Sequence, residues 1–126
     1  IPGAGAAGGL AGALAAVGGK LVPGFELVAD ELDLHDAIAD ADLVVTGEGH
    51  MDAQSFEGKV VGGVQEVCAR YGRPVGAVVG DADDDVADRL PFVSLAQRFG
   101  LERAMAEPMW CIEHAAAELI ARMTEA

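Results

Sequence analysis

The sequence predicts an α/β fold, a partial parallel sheet flanked by helices, and three observations carry that expectation. Leu43-Val44-Val45-Thr46 and Val75-Gly76-Ala77-Val78-Val79 are short β-branched runs that each stop at glycine. Pro91-Phe92-Val93-Ser94-Leu95 is a third run, with proline at the first residue, where a strand tolerates it. Segments of helical periodicity lie between and after these runs, so strands and helices alternate. Three strands make a thin sheet. Parallel sheets are covered on both faces and ordinarily have more strands, so the chain is expected to be part of a larger assembly.

Residues 3–19 are almost wholly Gly and Ala, with Leu10, Leu14 and Val17 at i, i+4 and i+7 on one helical stripe, and Gly18-Gly19 as a stop. Pro23-Gly24 is a turn. Leu27, Val28 and Leu32 predict a short helix, and Asp33 caps a second one carrying Leu34, Ile38 and Ala41. The first strand then runs into a loop, Gly47-Glu48-Gly49. A helix starts near Ser55, buries Val60, Val61, Val64, Val67 and Cys68, and ends at Gly72 and Pro74. The second strand ends at Gly80-Asp81, and Asp83 to Leu90 allows at most two helical turns. From Pro108 at N1, a long amphipathic helix presents Met109, Ile112, Ala116, Leu119, Ile120 and Met123.

The chain has 126 residues and, with 8 Lys plus Arg against 21 Asp plus Glu, a formal net charge of −13. Attraction to phosphate backbones or anionic membranes works against such a chain, so no nucleic-acid or membrane partner is expected. The apolar runs are too short and too often broken to span a bilayer. Cys68 and Cys111 lie in apolar helical patterns with no metal-spaced partner, which predicts two buried, reduced thiols and a cytoplasmic protein. The chain opens Ile1-Pro2 without an initiator Met or a basic leader, so Ile1 is not expected to be the native start.

Gly3-Ala4-Gly5-Ala6-Ala7-Gly8 matches G-x-G-x-x-G in form, but only Ile1-Pro2 precedes it, so the strand that a dinucleotide site requires is missing. Close helix packing is one use for these glycines. The other is a loop whose backbone N–H groups face a phosphate or carboxylate. Thr46 to Lys59 carries Glu48, His50, Asp52, Gln54, Ser55 and Lys59 in fourteen residues at the carboxyl end of a buried strand, where open α/β sheets hold ligands. Lys59, one of two lysines, lies near a helix start, where a phosphate would account for it. The same residues also fit a solvated loop in which Ser55 caps the helix and Lys59 pairs with Glu48 or Asp52. Asp81, Asp83, Asp84 and Asp85 fail the EF-hand pattern at Val86 and Phe92, which leaves helix capping or a Mg²⁺ site. His35 and His114 have no second ligand at i+4 and read as surface residues, and Trp110 as a core or interface filler. Serine-hydrolase, zinc-protease and P-loop motifs are absent.

The run Thr46-Gly47-Glu48-Gly49, Asp52-Ala53-Gln54-Ser55 and Gly58-Lys59 resembles the T-G-E-G-R-x-D-x-Q-S-x-x-G-K signature of bacterial glycerate kinases. Pro2-Gly3-Ala4-Gly5-Ala6-Ala7-Gly8-Gly9 is similar to that family's P-G-A-G-A-A-G-G segment. The resemblance implies ATP-dependent, Mg²⁺-assisted phosphorylation of D-glycerate, with 2-phosphoglycerate as the product that the family points to. It implies that residues 1–25 end an inserted second domain. Residues 26–126 would then form the C-terminal half of a split Rossmann-like domain, completed by the rest of the kinase chain or a second subunit. Asp52 would be Mg²⁺ ligand or general base, Glu48 its support and Lys59 the phosphate cation. His50, Gln54, Ser55 and the backbone of Gly3, Gly5, Gly8 and Gly9 would hold substrate or phosphate, and Asp81 would join Asp52 at the metal. His50 stands where the family usually has Arg, Val61 where Pro is common, and Val79-Gly80-Asp81 replaces a usual A-G-S. A non-catalytic module that binds a small acid or a nucleotide is the alternative.

Overall fold

The chain is described from a computed structural model covering residues 1–125. Helices α1 (Leu10–Ala16), α2 (Gly24–Glu31) and α3 (Leu34–Asp40) lead into β1 (Val44–Met51), α4 (Val60–Tyr71) and β2 (Val75–Ala82). After β3 (Phe92–Ser94) come α5 (Leu95–Phe99), α6 (Leu101–Ala106) and α7 (Pro108–Thr124). Short 3-10 turns occupy Ala6–Gly9, Ala53–Phe56 and Asp84–Val86. The strands form a parallel sheet in the order β1-β2-β3, as the alternation of elements predicts.

The sheet is covered on both faces. Val61 of α4 packs with Met51, Ala77 and Val79 on one face, beside a cluster of Ile38, Val64, Val67 and Cys68. Val78 and Val93 meet Cys111, Ala115 and Leu119 of α7 on the other. Val61, Val79 and Leu119 are fully buried, and burial of each such side chain contributes about 1.5–3 kcal/mol. Both cysteines are buried and unpaired, as expected.

Several boundaries differ from expectation for physical reasons. β1 does not stop at Gly47 but runs on through Glu48, Gly49 and His50, because pairing with β2 continues to Met51↔Ala82. Gly47 is needed inside the strand, since a Cβ there would lie 2.5 Å from the Val78 carbonyl oxygen. The Gly/Ala helix shrinks to α1, preceded by left-handed backbone at Ala7, Gly8 and Gly9. Asp33 occupies the N-cap of α3 in a left-handed conformation without a side-chain capping bond. Ser55 belongs to a 3-10 turn, and α4 starts only at Val60, which is itself exposed.

The short α5 and α6 lie inside a stretch for which the sequence predicts no helix. In α7, Cys111, Ala115 and Leu119 face the sheet, whereas Met109, Ile112 and Ile120 are exposed. The expected stripe is therefore split between two faces.

Candidate active site

The carboxyl ends of β1 and β2 bring the polar residues together. His50 and Asp81 are register partners on adjacent strands. His50 Nε2 lies 2.7 Å from Asp83 Oδ1, in an ion pair that is half exposed. The hydrogen bond to Asp83 raises the His50 pKa above its ordinary 6.5; desolvation opposes it, and the charges of Asp83, Asp81 and Asp52 add to the rise. The position where the resembled signature has arginine thus retains more cationic character than a free imidazole.

Asp81 Oδ1 accepts from Ala82 N–H at 2.9 Å, Ser94 Oγ–H at 3.1 Å and Gln97 Nε2–H at 3.2 Å. These donors, the Ala82 N–H first, hold its carboxyl below its ordinary 3.8. Ser94 also caps α5 by accepting from Gln97 N–H. Sequence reasoning missed Ser94 and Gln97. The available signal was S-x-x-Q at the end of a strand, a helix-start pattern.

Asp52 and Ser55 lock the turn that follows β1. Asp52 Oδ1 accepts from Gln54 N–H at 2.9 Å and Ser55 N–H at 3.3 Å, while Asp52 N–H donates to Ser55 Oγ at 3.0 Å. Ser55 is fully buried, so its hydroxyl holds the Asp52 backbone rather than facing a ligand. Lys59 is the exposed N-cap of α4, and its Nζ donates to Gln54 Oε1 at 3.4 Å. It forms no ion pair with Glu48 or Asp52 among the described residues.

Glu48 carries the clearest chemical signal. Its Oε2 is buried and has no hydrogen-bond partner. A buried, donor-free carboxylate oxygen is costly unless a cation or donor reaches it. Glu48 lines two apolar cavities of about 660 and 650 Å³. One also contains Gly80, Asp81 and Ile112, and the other contains Val28, Gly58 and Lys59. Carboxylate oxygens are the hard donors that Mg²⁺ selects, and it needs only one or two of them beside ligand oxygens. Glu48 and Asp81 line one cavity together and offer such donors, whereas Asp52 lines neither cavity and forms no close-set ligand group with them among the described residues.

Gly3, Gly5, Gly8 and Gly9 are not brought to this cluster. The N–H of Gly9 is spent on Gly5 O, and neither apolar cavity takes a residue from 1–23. The first buried residue of the chain is Ala29.

A parallel α/β sheet with a polar, largely acidic cluster at its strand ends places the chain in the open-sheet α/β class, whose members hold ligands outside the carboxyl ends of their strands. Within that class, the chain belongs to the glycerate kinase family, whose model matches residues 1–126. It is 48% identical over 87 residues to the glycerate 2-kinase of Escherichia coli K12, covering 68% of this chain and 23% of that protein. A glycerate kinase of Halalkalibacterium halodurans is 51% identical over 81 residues, 64% of this chain and 21% of its own length. One of Neisseria meningitidis serogroup B is 34% identical over 127 residues, 94% of this chain and 34% of its own length. A solved structure assigned as a glycerate kinase 2 from Salmonella typhimurium LT2 superposes with a TM-score of 0.61 at 35% identity, over 98% of this chain and 33% of that one. The chain thus spans between a fifth and about a third of the length of these relatives. No helix among the described residues is long and apolar enough to cross a membrane.

Proposed function

We propose that the chain supplies the acidic half of a kinase site that transfers phosphate from Mg-ATP to D-glycerate, with 2-phosphoglycerate as product. The observation that carries this reading is Glu48, whose Oε2 is buried without a donor and which lines a cavity together with Lys59. Family membership and the kinase names of the relatives support it and do not favour the non-catalytic module. Residues 1–25 belong in this reading to a second domain, and 26–126 to the C-terminal part of a Rossmann-like one.

Phosphoryl transfer asks the protein mainly for positioning and charge neutralisation. Mg-ATP, when bound, supplies the phosphoryl group and shields its charge. Asp52 and Asp81 would hold the Mg²⁺ of bound Mg-ATP, with Glu48 as a further carboxylate in the cavity that Asp81 lines. Asp52 is the alternative acceptor for the glycerate hydroxyl proton, and its turn is fixed by Ser55. Lys59 and His50 offer donors to phosphate oxygens, and Gln54 orients Lys59. The glycines at 3, 5, 8 and 9 are candidates for the substrate carboxylate only if the rest of the protein folds their segment over the strand ends.

The test is ADP formation by the full-length protein with D-glycerate and Mg²⁺, with the phosphorylated carbon identified by NMR. Asp52→Asn should cost on the order of 10²-fold or more in kcat. Near-normal kcat in that variant removes Asp52 from the chemistry. Nucleotide binding without glycerate-dependent turnover removes the kinase reading altogether.

A further inference from the structure

A second set of metal-ligating groups lies on α2 and α3, outside the residues assigned above. Glu26 and Asp30 stand one turn apart on α2, and His35 is in the first turn of α3. One ligand atom from each lies within 4.8 Å of the other two. A tetrahedral site with metal–ligand bonds of about 2.1 Å brings its donors about 3.4 Å apart, so small side-chain rotations close the set.

Two carboxylates at i and i+4 on a helix repel each other. Along the chain no Lys or Arg occurs between Lys20 and Lys59. Neither carboxylate nor His35 joins an ion pair among the described residues. Glu31, Asp33 and Asp36 deepen the negative field. The His35 ring is also held from outside the set. Tyr71 Oη lies 3.4 Å from its Nδ1, and the two rings meet edge-on with centroids 6.0 Å apart. An outer partner of this kind is what orients a metal-bound imidazole.

We propose that Glu26, Asp30 and His35 bind a divalent transition metal, Zn²⁺ or an ion of similar preference, and so clip α2 to α3. One imidazole with two carboxylates suits such ions, whereas Mg²⁺ and Ca²⁺ prefer oxygen alone. The clip bears on the candidate active site, because Phe25 and Val28 of α2 wall the cavity that contains Glu48 and Lys59.

The experiment titrates Zn²⁺ into chelator-stripped full-length protein in excess Mg²⁺ and follows heat and thermal midpoint. His35→Gln should lose one equivalent of bound Zn²⁺ relative to the unmodified protein. Glu26→Gln should weaken that equivalent at least tenfold, and Tyr71→Phe about tenfold. His114→Gln should leave it unchanged, and His35→Gln should keep its Mg²⁺-dependent turnover. Equal Zn²⁺ stoichiometry and affinity in wild type, His35→Gln and Glu26→Gln overturns the proposal, as does an absence of Zn²⁺ binding by the wild type. If His35→Gln fails to fold, Glu26→Gln alone decides, because that side chain is exposed.

Discussion

Glu48 is where stability and proposed chemistry pull in opposite directions. A buried polar atom without a partner costs about 1–3 kcal/mol, and less here because the residue as a whole is only half-buried. Glu48→Gln removes the charge and keeps the shape. We expect its denaturant midpoint to match or exceed wild type, while turnover by the full-length protein falls on the order of 10²-fold. Loss of stability together with activity would make Glu48 a structural residue.

His50 makes a second prediction at the same scale. Its pKa is raised on folding, so its stabilising contribution is complete below about pH 6.5 and fades as pH rises through the folded value. Asp81 behaves oppositely. Its contribution is present above its ordinary 3.8 and disappears as pH falls through the depressed value. Asp83→Asn should therefore lower the His50 midpoint in an NMR titration and weaken the loss of stability as pH rises above 6.5. An unmoved midpoint rejects Asp83 as the cause.

Among the elements, α4 is tied to the site through Gly62 rather than through a polar contact. A Cβ on Gly62 would lie 2.6 Å from Phe56 Cα and 3.0 Å from Ser55 O, both in the backbone of the turn that Asp52 and Ser55 lock. Alanine in a helix gains about 1 kcal/mol over glycine, but overpacking against backbone costs about 1–3 kcal/mol. Gly62→Ala should thus lose net stability of about 1 kcal/mol in chemical denaturation, and it should displace the Asp52 amide resonance. A stabilised variant would mean that the turn yields freely. The same reasoning explains why this turn was hard to read in sequence. Ser55 looks like the cap of the following helix, but Gly58 and Lys59 intervene, and its hydroxyl closes on Asp52 instead.

Across the whole molecule, β1 is an eight-residue edge strand with an apolar cavity on either side. Val28, Leu32, Val45, Met105 and Ile112 are exposed along those cavities or close to them. Long edges and contiguous apolar surface invite association. The 126-residue chain alone should self-associate with rising concentration and bind a hydrophobic dye, and Val45→Lys should reduce both. A monodisperse, dye-negative chain by light scattering would show that these surfaces are closed without a partner.

The order of strands and long helices, the buried thiols and the family signature are legible in the sequence because they follow from local periodicity and short motifs. Val61, Val64 and Val67 predict the buried face of α4, and Gly72 its end, without any knowledge of neighbours. Only the tertiary structure decides where β1 stops, because Gly47 and Gly49 read as a loop until β2 pairs beside them and the Val78 carbonyl leaves no room for a side chain at Gly47. It alone also joins His50 to Asp83, and Asp81 to Ser94 and Gln97, across 33, 13 and 16 residues. Such contacts are set by strand register and by the return of the chain through α5, which no local pattern encodes. The sequence therefore determines which residue types are present and on which element they ride. Packing determines which of them meet, and whether a carboxylate oxygen such as Glu48 Oε2 is left buried without a donor.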